Sequence, residues 1–186
     1  PGPTSERLDI AFRTGEQIIK TLEKGIKPRD ILTRDAIFNA FTVDMALGGS
    51  TNSVLHLTAI AHEAGIDYPL SWLNEINAKT PHLCKMSPAG VHHIEDLNAA
   101  GGIYAVMHEL SGLLQTNAMT VLGKTVGDLV PGFQVKNRDV SRPIPPPPTS
   151  HAKNSGKFIS IPPVPQCARS AHFAPRANAR VRLPGA

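Results

Sequence analysis

Cysteine is nearly missing from this sequence. Cys84 and Cys167 are the only two among 186 residues, which excludes a disulfide-stapled scaffold and makes a reducing cytoplasm the expected compartment. Apolar residues nowhere run for the roughly 18 positions that a membrane span requires, and no signal-peptide pattern is present, so no membrane partner is expected. Acidic residues vanish from one end of the chain. Residues 1–141 hold 12 Lys/Arg against 15 Asp/Glu, whereas residues 142–186 hold seven Lys/Arg and no acid. The overall charge of +4 therefore describes the C-terminal stretch and says little about the rest. That stretch has Phe158 and Phe173 as its only aromatics and carries no recognisable binding motif, so no nucleic-acid partner is expected. The length suffices for one domain with a real core. A chain opening on Pro1 instead of Met reads as a fragment or a processed product.

What is present is organised around residues 46–57, Ala-Leu-Gly-Gly-Ser-Thr-Asn-Ser-Val-Leu-His-Leu. Gly48 and Gly49 permit positive φ or a close backbone approach. Ser50, Thr51 and Asn52 are all good N-cap residues for the apolar helix that follows. Free N–H groups and the dipole at such a helix start suit a carboxylate or phosphate. A tight turn with a cap, packed where two helices cross, is the simpler reading of the same residues. A P-loop is excluded, because no Lys follows the glycines.

Residues 44–57, Asp-Met-Ala-Leu-Gly-Gly-Ser-Thr-Asn-Ser-Val-Leu-His-Leu, resemble the signature stretch of the dihydroxy-acid/6-phosphogluconate dehydratase family. The flanks agree: Lys27 to Arg34 upstream, Ala59 to Ile66 downstream, then Glu95-Asp96-Leu97, Ala99 to Gly102 and Val106 to Leu110. The likeness runs from about Ser5 to Ile144. Val43-Asp44-Met45 and Ser53-Val54 look like the branched-chain amino-acid branch of the family, with a sugar-acid (6-phosphogluconate-type) dehydratase fragment as the alternative.

The resemblance implies a helix-rich α/β fold, the latter part of the family's large N-terminal α/β domain, over residues 1–144. It implies a hydro-lyase acting on a small 2,3-dihydroxy acid, with an iron–sulfur cluster and Mg2+ as cofactors and a homodimer as the assembly. Carried over residue by residue, it yields no catalytic and no metal residue. The family's cysteine motifs, its magnesium ligands and its catalytic serine motif have no counterpart here, and Cys84 and Cys167 stand in no matching context. The isolated chain is expected to be inactive. Gly48, Gly49, Ser50, Thr51 and Asn52 remain as the candidate substrate-binding residues.

Along the rest of the chain, residues 5–24 read as an amphipathic helix. Leu8, Ala11, Phe12, Gly15, Ile18, Ile19 and Leu22 share one face that should pack on something larger, and Gly25 stands past its end. Thr33 should cap a second long helix, buried through Ala36, Ile37, Ala40 and Phe41. Asp44, near that helix's negative end, needs a partner. The helix from Thr51 to Ala64 is apolar nearly all round, as a buried helix is, with His56 and His62 as structural histidines. Ser71 should cap the next helix. His82 to Met86 and Met119 to Gly123 read as short strands, and Thr125 as a cap. Cys84, with His82, His92 and His93 loosely around it, lacks the spacing of a zinc ligand set and reads as a buried, inert thiol. The small residues Ala99 to Gly102 should bend the chain and admit a close neighbour.

Beyond Ile144 the composition changes. Residues 142–186 hold ten of the 17 prolines, and such a stretch cannot bury enough apolar surface to fold alone. Residues 145–186 are expected to be a disordered or non-native tail, such as the family's coding sequence read out of frame. A Pro-rich docking tail is the competing reading.

Overall fold

The computed structural model describes residues 5–144; Cys167 and the expected Pro-rich tail, residues 145–186, lie outside them. Eight α-helices follow in order: α1 Ser5–Glu23, α2 Pro28–Ile31, α3 Arg34–Leu47, α4 Thr51–Glu63, α5 Ser71–Lys79, α6 Ile94–Ala99, α7 Gly102–Glu109 and α8 Val126–Leu129. A 3-10 turn, Val130–Gly132, closes the series.

Helix α3 lies between two apolar clusters. Its Ile37 and Phe41 join Ala61, Tyr68, Leu73 and Ile76 of the α4–α5 side. Its Ala46, five residues past Phe41, joins Leu83, Cys84, Leu97, Val106 and Leu110 of the α6–α7 side. The helix starts where Thr33 Oγ1 accepts from Ala36 N at 3.3 Å, and ends at Gly48 in the left-handed region, φ 73°. There Gly48 N donates to Met45 O at 3.2 Å and Gly49 N to Asp44 O at 2.9 Å, the bond pair of a Schellman end. Gly65 N and Ile66 N repeat that pair on His62 O and Ala61 O after α4. Arg29 then covers the last α4 carbonyls, Nη1 on Ala64 O at 2.9 Å and Nη2 on Glu63 O at 3.2 Å. A cation there also favours the negative end of the helix dipole.

One buried polar residue ties α3 to the far half of the chain. Asn39 Nδ2 donates to Gln115 O at 2.9 Å, and Gln115 N donates to Asn39 Oδ1 at 2.7 Å. Only 5% of Asn39 is exposed, so both amide positions are satisfied by one distant backbone unit. The α3 end is tied similarly: Ala46 O accepts from Leu83 N at 2.8 Å and Cys84 N at 3.2 Å, while Arg142 N donates to Leu83 O at 3.0 Å.

The α/β expectation is met by its helices only. Among the described residues, β pairing consists of isolated bridges, Cys84 with Ser141, Met86 with His92 and Met119 with Thr125. Met119 to Gly123 is no strand, because Gly123 turns the chain at φ 66° and Thr120 N closes on Lys124 O at 2.9 Å. The segment is a loop closed on itself. His82 to Met86 runs beside the α3 end and Ser141 without a ladder.

Two burial expectations are also corrected. The α1 stripe is exposed, from Leu8 at 69% to Leu22 at 73%, and Thr21 is the helix's buried residue. In α4, Leu55 is 67% and Ile60 42% exposed, His56 and His62 are exposed, and Ala61 alone is buried. Apolar periodicity reports which side chains share a face and does not report whether anything lies on it. Ser71 does not cap α5 either: Leu70 occupies that position with helical dihedrals and no side-chain bond. Ala99 to Gly102 does bend the chain between α6 and α7. Gly101 stands at φ 118°, and a Cβ there would come within 2.7 Å of Gln134 O.

Replacing Asn39 by Ala removes both of these bonds, leaving the Gln115 C=O with Ala118 N as its remaining partner. The expected loss is about 2–3 kcal/mol in chemical denaturation; an unchanged midpoint would show that water substitutes for the amide.

Candidate functional site

The five loop residues form a single corner between two helices. Gly48 ends α3, Gly49 crosses over, and Ser50 is the N-cap of α4, its Oγ accepting from Asn52 N at 3.2 Å. Ser53 N donates to Ser50 O at 3.1 Å. Two of the first α4 donors are therefore engaged within the turn. The side chains of Ser50, Thr51 and Asn52 remain exposed, with hydroxyl and amide groups free to bond outward at the positive end of a 13-residue helix.

Both glycines have close neighbours, and Gly48 also needs its left-handed backbone. A Cβ on Gly48 would approach His82 Nε2 to 2.5 Å, and one on Gly49 would overlap the Asp44 carboxylate. Asp44 sits half-buried beneath the corner, with the Ser53 hydroxyl near it. Burial pushes its carboxyl above the usual range, and the Ser53 bond pulls partly the other way. The corner is thus flanked by one carboxyl and one imidazole. His82 is 34 positions from Gly48, and no spacing rule points to it; its nearness follows from Ala46 O holding Leu83 and Cys84.

Two clefts lie elsewhere, on either side of Tyr68. One, of about 240 Å³, is lined by Arg34, Phe38, Trp72 and Lys79 among others, with the Arg34 guanidinium 3.5 Å above the Trp72 ring. The other is lined by Thr58, His62, Ile66 and Asp67. Neither includes a residue of the glycine corner.

The described residues do not fit an iron–sulfur cluster or a magnesium site. Cys84 is fully buried, and burial raises its thiol pKa, with Ser141 lowering it in part, so the thiolate needed for ligation is disfavoured. No three His, Cys, Asp or Glu side chains converge among these residues. His82, His92 and His93 do not join Cys84 in a set.

What this arrangement defines is a helical domain with an exposed, hydroxyl-rich helix corner. The family profile described as "Dihydroxy-acid/6-phosphogluconate dehydratase N-terminal" matches residues 1–129, and the chain belongs to that family. Its relatives include proteins named dihydroxy-acid dehydratase from Clostridium beijerinckii (56% identical) and Caldicellulosiruptor bescii (56%), and from Caldanaerobacter subterraneus subsp. tengcongensis (54%). Each likeness extends over 146 residues, 77% of this chain and 26% of the relative. The chain spans about a quarter of the length of these curated relatives.

Because the folded state holds Asp44 above its unfolded pKa, ionising it costs stability. That cost is absent below the unfolded pKa and complete once pH exceeds the folded one. Asp44→Asn keeps an acceptor for Ser53 and removes the charge. Relative to wild type, the variant should therefore gain stability as pH rises from 3 to 7. Parallel pH–stability curves would show that Asp44 is hydrated in the folded chain.

Proposed function

We propose that this chain is part of a dihydroxy-acid dehydratase, a cytoplasmic, homodimeric hydro-lyase of branched-chain amino-acid biosynthesis. The supporting observation is its 54–56% identity to proteins that carry that name. The described helices are then the later, helix-rich part of a larger α/β domain. The reaction takes a 2,3-dihydroxy carboxylate, removes the C2 proton and the C3 hydroxyl as water, and leaves an enol that tautomerises to the 2-keto acid. No bond-breaking step is assigned to this chain's residues, and the chain alone is inactive.

The chain's own contribution is recognition at the glycine corner. Ser50, Thr51 and Asn52 bind the substrate carboxylate through their side chains, helped by the positive end of α4. Gly48 and Gly49 let the corner turn tightly against His82 and Asp44, which hold it in place. A second role, packing alone, uses the same residues and is separable by kinetics.

In the intact C. beijerinckii relative, Ala at the positions matching Ser50 and Thr51 should raise KM for a 2,3-dihydroxy carboxylate about tenfold, with kcat kept. Unchanged kinetics with stability lowered by about 1 kcal/mol would leave only the capping role. Preference of that enzyme for an aldonate would overturn the branch assignment.

A further inference from the structure

Helices α3 and α5 turn one face each to a common cleft. Arg34 and Phe38 stand four apart on α3, and Trp72, Glu75 and Lys79 follow at steps of three and four on α5, so each set shares one side of its helix. Together with Tyr68 these residues line the cleft of about 240 Å³. Its walls are aromatic and held from behind. The Trp72 ring meets Tyr68 edge-on at 5.0 Å, and Tyr68 meets the buried Phe41 at 5.2 Å. The Arg34 guanidinium lies 3.5 Å from the centre of the Trp72 ring. That contact positions the cation without neutralising it, so less freedom is lost when it takes an anion.

The rim carries both signs of charge. Glu75 and Lys79 have the spacing of a helical ion pair, yet the ion pairs among the described residues join Arg13 to Asp9 and Arg138 to Glu109. Arg34, Glu75 and Lys79 are exposed and unpaired with one another. Deeper in, Tyr68 is only 6% exposed, and its hydroxyl is buried with no hydrogen-bond partner among the described residues. Burial raises the Tyr68 pKa, and the Arg34 charge lowers it in part, so that hydroxyl and the guanidinium are neighbours.

A ligand that answers these groups needs a carboxylate for the two cations, an ammonium for Glu75 and an apolar body for Trp72 and Phe38. The planar guanidinium suits a carboxylate in particular. Arg34 also stands in the first turn of the 14-residue α3, where the helix dipole favours an anion. A simple anion would meet Glu75, and a simple amine would meet two cations, so neither fits alone. The volume lies below the ~300–1,000 Å³ of sites for drug-sized ligands, which selects a small metabolite.

We propose that the α3–α5 cleft binds a free α-amino acid with an apolar side chain, its carboxylate on Arg34 and Lys79 and its ammonium on Glu75. The cleft shares no residue with the glycine corner, so the proposal is independent of what that corner binds.

Trp72 is the sole tryptophan of the chain, so its fluorescence reports on this cleft. Titrating the full 186-residue chain with L-phenylalanine should give a saturable change in emission. Phenylpropionate and phenethylamine each lack one of the two charges, and each should bind at least about tenfold more weakly. Arg34→Gln and Glu75→Gln should each weaken L-phenylalanine binding by about tenfold or more, while circular dichroism keeps its helical signal. Arg13→Gln should leave binding unchanged. It lies on α1, which adds nothing to the cleft lining and meets the body where Thr21 Oγ1 donates to Val121 O at 2.9 Å and Gln17 Nε2 donates to the same oxygen at 3.2 Å. The absence of a saturable change overturns the proposal and leaves the cleft to the remainder of a longer polypeptide. Phenylpropionate binding as tightly as L-phenylalanine, or L-phenylalanine binding that survives Glu75→Gln, removes the ammonium subsite and overturns it too.

Discussion

The fold depends on a single amide. Asn39 is buried in the middle of α3 and exchanges two hydrogen bonds with the backbone of Gln115. The helix around it serves two apolar clusters at once, Phe41 in one and Ala46 in the other. Without a polar tie, those clusters would specify only that α3 is covered on both sides. The Asn39 clamp specifies which backbone unit lies beside it, and so sets the register of the α7–α8 connection against α3. A buried amide has this effect because an incorrect register leaves it unpaired, and an unpaired buried amide is costly.

Local chemistry was legible in the sequence; coverage was not. Thr33, Ser50 and Thr125 cap where their side chains and the following helices predict. Gly25 and Gly48 stand at positive φ past helix ends. These features depend on residues within one or two turns, which a sequence displays directly. The buried α1 and α4 faces were expected from periodicity alone, and periodicity cannot register a missing neighbour. The clamp escaped notice for a related reason: Asn39, between Ile37 and Phe41, breaks no pattern that has a name. Strands failed where a short apolar run met its neighbour at an isolated bridge and the pairing did not continue.

The glycine corner illustrates how much of a candidate site a sequence can display. Its five residues are contiguous, and the structure brings them together in one exposed turn. Its flanks are only half visible. Asp44 is near in sequence and its need for a partner follows from its place at a helix end. His82 comes from a distant segment, brought in by two N–H groups sharing the Ala46 carbonyl. The corner's shape therefore belongs to α3 as much as to α4, because the residue that accepts from Leu83 and Cys84 also precedes the turn.

The attachment of α1 through one carbonyl has a consequence for how the molecule opens. Two side-chain hydrogen bonds to Val121 resist far less than the two clusters around α3, so the free energy of lifting α1 off lies well below that of unfolding the body. The 19-residue helix is an opening unit of its own, one that swings about the Gly25 turn while the remaining helices keep their packing. Amide protons along α1 would then exchange with solvent long before those of α3.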